Sequence, residues 1–107
     1  MKLLIAFGVI FIACHATYKA FAQSLAQDKC RHFEFLIEHA ISMREQGIPL
    51  DAAQKSLADP FLEPDDFTDY QVLSISIRSA YQNPRWMRQA ISTGYWRQLC
   101  VQILIGQ

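Results

Sequence analysis

Residues 28–40 read DKCRHFEFLIEHA and put one cysteine and two histidines on a short apolar segment. Leu25, Cys30, Phe33, Ile37, Ala40 and Ile41 recur at spacings compatible with one helical face. The pattern predicts a helix over 24–46, with Ser24 as N-cap, Gly47 as its stop and Pro49 behind it. The histidines, His32 and His39, lie two turns apart. Helical metal ligands more often sit one turn apart, so that adjacent turns bring both imidazoles to one ion, and no third ligand follows at a diagnostic spacing. Both histidines are read as surface or half-buried residues, and no metal or other cofactor is expected. The fold turns on Cys30, and on whether the compartment lets it pair.

The N-terminus bears on that compartment. Lys2 gives a minimal positive start, Leu3 to Cys14 form an uncharged apolar run, and Ala20-Phe21-Ala22 supplies the small-x-small pattern of a cleavage site. This is the layout of a secretory signal peptide over residues 1–22, cut after Ala22, and the expected location is periplasmic or secreted. A transmembrane anchor is disfavoured, because a spanning helix needs about 20 apolar residues and the run stops at His15. The minor alternative is lipidation of Cys14. Phe11-Ile12-Ala13-Cys14 loosely resembles a lipobox, with Phe11 in place of the usual leucine. No membrane association is expected unless Cys14 is acylated.

Removing the first 22 of 107 residues leaves 85, a single small domain over 23–107. At that size an apolar core alone gives marginal stability. Cys14 departs with the signal or is acylated, which leaves Cys30 and Cys100. In an oxidising compartment an even pair in a small exported chain reads as a disulfide. The loop it closes, about 70 residues, corresponds to roughly 4 kcal/mol in the chain-entropy picture. Cys30 is therefore read as a structural staple. A thiol activated by His32 would need Cys100 to be unpaired, and no second cysteine lies close enough for a local redox pair.

The rest of the chain reads as further helices. Asp51 and Gln54 suggest a capping box opening a short helix near 52–58, ended by Asp59-Pro60. The connector DPFLEPDD reads as a turn-rich loop. A third helix is predicted from Asp65 or Asp66, with Asp69 near its positive end and Tyr70, Leu73, Ile77 and Ala80 or Tyr81 as its buried stripe. Within it VLSISI also alternates like a strand; helix is preferred because the stripe outlasts the alternation. Asn83-Pro84 is a strong helix start. The last helix is predicted as one piece over about 84–104, with Met87, Ile91, Tyr95 and Leu99 on one line and Trp96, Cys100, Ile103 and Leu104 beside it. The expected fold is all-α, a small three- to four-helix domain tied by one disulfide.

The formal net charge is zero, with ten basic and ten acidic residues. Residues 51–69 are acid-rich, whereas 70–107 carry Arg78, Arg85, Arg88 and Arg97 and no acid; the two regions are expected to pair within the fold. Nucleic acid is disfavoured, since four arginines without a basic excess make a weak electrostatic footprint. No glycine-flanked serine or free cysteine offers a nucleophile, and acids on a loop beside a tiny core rarely form an acid–base pair, so an enzyme is not expected. The most suggestive patch is RWMRQ with YWRQ. Arg85, Trp86, Arg88, Tyr95, Trp96 and Arg97 are residue types that dominate interface hot spots. On a single helix Trp86 and Tyr95 point to opposite sides, so one of them is available to a partner, expected to be another protein. The competing view is that both aromatics pack inside the domain.

The layout resembles small exported helical proteins common in proteobacteria, with an early cysteine, an Arg44-to-Gly47 turn, an Ala80-Tyr81-to-Pro84 junction and a late cysteine. That resemblance implies one Cys–Cys link and assigns no function. In size and in its tied helices the chain is also similar to acid-stress periplasmic chaperones. The expected function is a protein-binding module of the bacterial periplasm or envelope. The alternatives are a holdase activated when acid protonates carboxylates paired with arginines, and a lipid-anchored envelope component.

Overall fold

The computed structural model describes residues 2–63 and 67–106, with side chains from Thr17 onward. Cys14 as a side chain and the expected helix start at Asp65 or Asp66 lie outside the described residues. Among the described residues there are five α-helices and no strand: α1 (Lys2–Glu45), α2 (Leu50–Leu57), α3 (Phe67–Gln82), α4 (Pro84–Ser92) and α5 (Tyr95–Ile105), with a 3-10 turn at Asp59–Phe61. The all-α expectation holds, with one helix more than the three to four expected. None of these helices, among the described residues, is long and apolar enough to cross a membrane.

Helix α1 is the spine. Ser24 does not cap it, because TYKAFAQSLAQ contains neither glycine nor proline and nothing there interrupts the helical run. Cys30, Phe33, Ile37, Ala40 and Ile41 are fully buried, as their spacing predicts, whereas Leu25 is exposed. From Thr17 to Leu25 no side chain is buried, and Ala26 is the first buried residue among those whose side chains are described. The helix ends at Gly47, whose φ of +82° is the left-handed conformation that a side chain disfavours.

Cross-contacts give the topology. Lys29 Nζ meets Asp69 Oδ2 at 2.9 Å, and Arg44 Nε donates to the Tyr81 carbonyl at 2.8 Å, so α3 runs parallel to α1. The second contact also satisfies a carbonyl that the end of α3 leaves without a helical partner. Gln54 Nε2 donates to the Ser74 carbonyl at 2.9 Å and Tyr81 Oη to the Ile48 carbonyl at 2.7 Å, so α2 lies antiparallel to α3. The expected capping box does not form. Helix α2 starts at Leu50 with Pro49 before it and no side-chain cap, because Gln54 is turned inward onto α3. Phe61 in the 3-10 turn closes the end of the core, edge-on to Phe33 with ring centroids 5.5 Å apart.

The strand-like alternation in α3 is resolved as helix, with Leu73, Ile77 and Ala80 fully buried. Asn83 caps α4 as expected, its side chain accepting from the Trp86 N–H at 3.1 Å. The single helix expected over 84–104 is in fact two. Gly94 adopts φ +82° after Thr93, which ends α4 and opens α5 at Tyr95.

Tyr81 carries a pH-dependent prediction. Burial pushes its hydroxyl above the ordinary tyrosine range, and the Arg44 charge offsets this only in part. The native state then holds the proton after the unfolded chain has lost it. This contribution is complete below about pH 10 and is lost as pH rises through the higher native value. Tyr81→Phe is expected to lose about 1 kcal/mol at neutral pH, with a shallower alkaline arm in denaturant melts from neutral pH to pH 11. An unchanged alkaline arm would assign that titration to other groups.

Candidate functional site

The end of the chain is fastened to α1 by two adjacent links. Cys30 and Cys100 form a disulfide with their Cα atoms 6.0 Å apart, both cysteines buried. One turn along each helix, Arg97 Nε and Nη2 donate to Glu34 Oε1 and Oε2, both at 2.7 Å. The pairs 30–100 and 34–97 fix α5 antiparallel to α1. Glu34 raises the Arg97 pKa above its ordinary value, chiefly through this hydrogen bond and against the opposing effect of burial.

Those links divide the six interface candidates. Trp96 is buried, and its indole Nε1–H donates to Ser76 Oγ at 3.0 Å, tying α5 to α3. Arg97 is committed to Glu34. Arg88 forms an exposed ion pair with Glu45 at 2.7 Å. Arg85, Trp86 and Tyr95 remain on the surface, with Trp86 47% and Tyr95 51% exposed. The opposite-sides argument for Trp86 and Tyr95 fails because it assumed one continuous helix. The turn at Gly94 rotates α5 relative to α4, and both rings line one shallow depression of about 220 Å³ together with Gln89, Ala90 and Thr93. The sequence signal for this turn is Ser92-Thr93-Gly94, a helix-ending run overridden in the periodicity reading by apolar residues spaced four apart.

A second concavity was not anticipated. Helices α3 and α5 run side by side, and between them lies an open groove of about 450 Å³ walled by Val72, Ile75, Leu99 and Ile103, with Trp96 and Cys100 also lining it. Ile75 is 63% exposed at its rim. The clue in the sequence was the even distribution of apolar residues on α3 and α5, which leaves each helix with more apolar positions than one core contact can cover.

His32 and His39 are both exposed, and among the described residues no group of three histidines, cysteines or acids is placed to hold a metal ion. The expected pairing of the basic end with the acidic stretch takes a different form. Arg88 and Arg97 pair with Glu45 and Glu34 of α1, and Asp69 pairs with Lys29; among the described residues no ion pair links the basic end to acids 51–69. Helix α1 supplies the opposite charge to both sides.

The chain matches no family model, no curated protein and no solved structure. Its function is therefore argued from the residues alone.

Proposed function

We propose that this chain is an exported helical protein of the bacterial periplasm or envelope, cut after Ala22, that works by binding another protein through the corner between α4 and α5. The observation that carries this is the meeting of Trp86 and Tyr95, two half-exposed aromatic side chains, in one depression on a fastened helical frame. Aromatic side chains of this kind bring large contact area at low entropic cost, and arginine beside them adds a charged handle. Arg85 is exposed next to Trp86 in sequence. A partner surface with an apolar knob flanked by a carboxylate fits that corner. Export is supported by the N-terminal layout and by a disulfide compatible with an oxidising compartment. Binding rather than catalysis is the proposed activity.

The test is native affinity capture from the bacterial envelope, with N-terminal sequencing of the bait. The bait should begin at Gln23. The wild type should retain a stoichiometric partner that Trp86→Ala/Tyr95→Ala retains at least about 30-fold less well, as two hot-spot truncations imply. A partner held equally by both baits, or a clean lane across a range of pH, overturns the proposal.

A further inference from the structure

We infer that the Trp86–Tyr95 corner takes an extended, proline-containing segment of its partner, with an acidic side chain one turn away from the proline. The inference rests on the binding role proposed for that corner and names the chemistry it recognises.

The first observation is the space between the rings. Trp86 and Tyr95 line one depression without forming a ring contact with each other; the aromatic contact found among the described residues is Phe33 with Phe61. Ala90, which also lines the depression, adds only a methyl group. The volume of about 220 Å³ is that of roughly seven waters of bulk liquid, far too small for a helix about 10 Å across and ample for one compact ring. Separated aromatic faces of this kind are where the stiff pyrrolidine ring of an extended segment docks.

The second observation is hydrogen bonding, and it separates proline from other apolar side chains. The main-chain acceptors at the end of α4 are already taken. The Gln89 carbonyl accepts from the Thr93 N–H and from the Ser92 and Thr93 hydroxyls, each at 3.0 Å. The Ala90 carbonyl accepts from Thr93 Oγ1 at 3.3 Å and the Ile91 carbonyl from the Gly94 N–H at 3.1 Å. Donors, by contrast, are open. Trp96 gives its indole N–H to Ser76, whereas the Trp86 indole N–H, which can only donate, has no acceptor among the described residues. A leucine or phenylalanine knob brings its own main-chain N–H into a corner whose carbonyls are occupied. Proline brings none, and an extended proline segment leaves its carbonyls free for the indole.

The third is charge. No residue lining the depression is charged. Arg85 is exposed, lies one turn before Gln89 on α4, and has no ion-pair partner among the described residues, whereas Arg88 and Arg97 are held by Glu45 and Glu34. Helix α5 opens beside the depression without a side-chain cap, so its positive end lies on the same side. A cation is therefore repelled from these rings and an acid is drawn to their edge. The extended segment repeats every three residues, so an acid three positions from the proline falls on the proline's own face and meets Arg85.

Blocked synthetic peptides titrated into the purified, oxidised protein test this, read at the Trp86 indole N–H resonance. The peptide APPAEPPAEA should shift that resonance, and not that of Trp96, with a Kd between about 10 µM and 1 mM. Leucine in place of every proline, or lysine in place of both glutamates, should weaken binding at least about 10-fold. Arg85→Ala should abolish the preference for glutamate over lysine while the melting temperature stays at the wild-type value. No shift at millimolar peptide overturns the inference. So does equal binding of the leucine or the lysine peptide. If native capture still yields a partner that depends on Trp86 and Tyr95 in those cases, the binding role of the corner stands and only its proline chemistry falls. If the peptides bind with the stated preferences and capture yields nothing, the chemistry stands and the envelope partner falls.

Discussion

Replacing Cys30 and Cys100 together by alanine is expected to lower the stability by about 4 kcal/mol, the largest loss available from any single link in this protein. The bridge joins α1 to α5 across 70 positions of sequence, so in the unfolded chain it removes the freedom of nearly the whole domain. A domain of this size has on the order of 5–10 kcal/mol in total. The loss therefore takes about half or more and lowers the melting temperature by roughly 15–30 °C. Both cysteines are buried, so the alanines also leave small cavities, which act in the same direction. Thermal melts followed by circular dichroism, with the wild type in oxidant and in reductant beside the double variant, measure it. Reduced wild type and variant should melt close together, well below the oxidised protein. A difference under about 5 °C would mean that helix packing, and not the bridge, holds α5 in place.

That clamp was legible in the sequence because it depended on counting. If residues 1–22 are read as an export signal, two cysteines remain, and pairing is then the default. The apolar faces of α1 and α3 were legible for a similar reason. Phe33, Ile37 and Ala40, like Leu73, Ile77 and Ala80, recur at helical spacing within uninterrupted runs, and such runs bury the face that their period defines. Periodicity misled at Gly94. Met87, Ile91, Tyr95 and Leu99 keep a four-residue spacing straight through the glycine, yet Met87 is buried while Tyr95 and Leu99 are exposed. A turn with positive φ resets the rotational phase of everything after it, and a spacing count across such a turn has no physical meaning. The aromatic corner was missed for that reason, although both of its aromatics had been named. The groove between α3 and α5 left only a surplus of apolar positions on the two helices as its trace, since its width depends on how far apart they settle.

The Glu34–Arg97 pair shows what becomes readable once a first contact is known. The two residues lie 63 positions apart, and nothing local marks them. Glu34 follows Cys30 by one turn and Arg97 precedes Cys100 by one turn. In antiparallel helices joined at 30 and 100, those positions face each other. The disulfide thus specifies the register, and the register specifies the pair. Glu38, a further turn along α1, is instead exposed, so an acid on this helix is not sufficient in itself.

Arg97→Ala is the second large effect, an expected loss of about 2–3 kcal/mol at neutral pH. The Glu34 side chain is only 9% exposed, and the truncation strands its carboxylate without the two donors that hold it. Breaking a fully buried pair costs roughly 3–5 kcal/mol, and the Arg97 side chain, 34% exposed, lets water soften that figure. The cation cannot be titrated away under working conditions. Its raised pKa means that, going up from neutral pH, the guanidinium's contribution stays complete up to the ordinary arginine range and is lost only in strong alkali. Glu34→Leu/Arg97→Met, which removes both charges, is expected within about 1 kcal/mol of wild type, because an absent pair leaves no stranded ion. Denaturant melts of the wild type, the single variants and the double variant give the coupling. A single-variant loss under about 0.5 kcal/mol, or losses that simply add, would reduce the pair to an ordinary surface contact. The same cycle in reductant separates the roles of the two links. With the bridge intact, α5 stays tethered and Arg97→Ala costs only the stranded charge. With the bridge open, the ion pair is the side-chain polar link seen between α5 and α1 among the described residues, and its removal should loosen the helix from α1, so the two losses together exceed their sum.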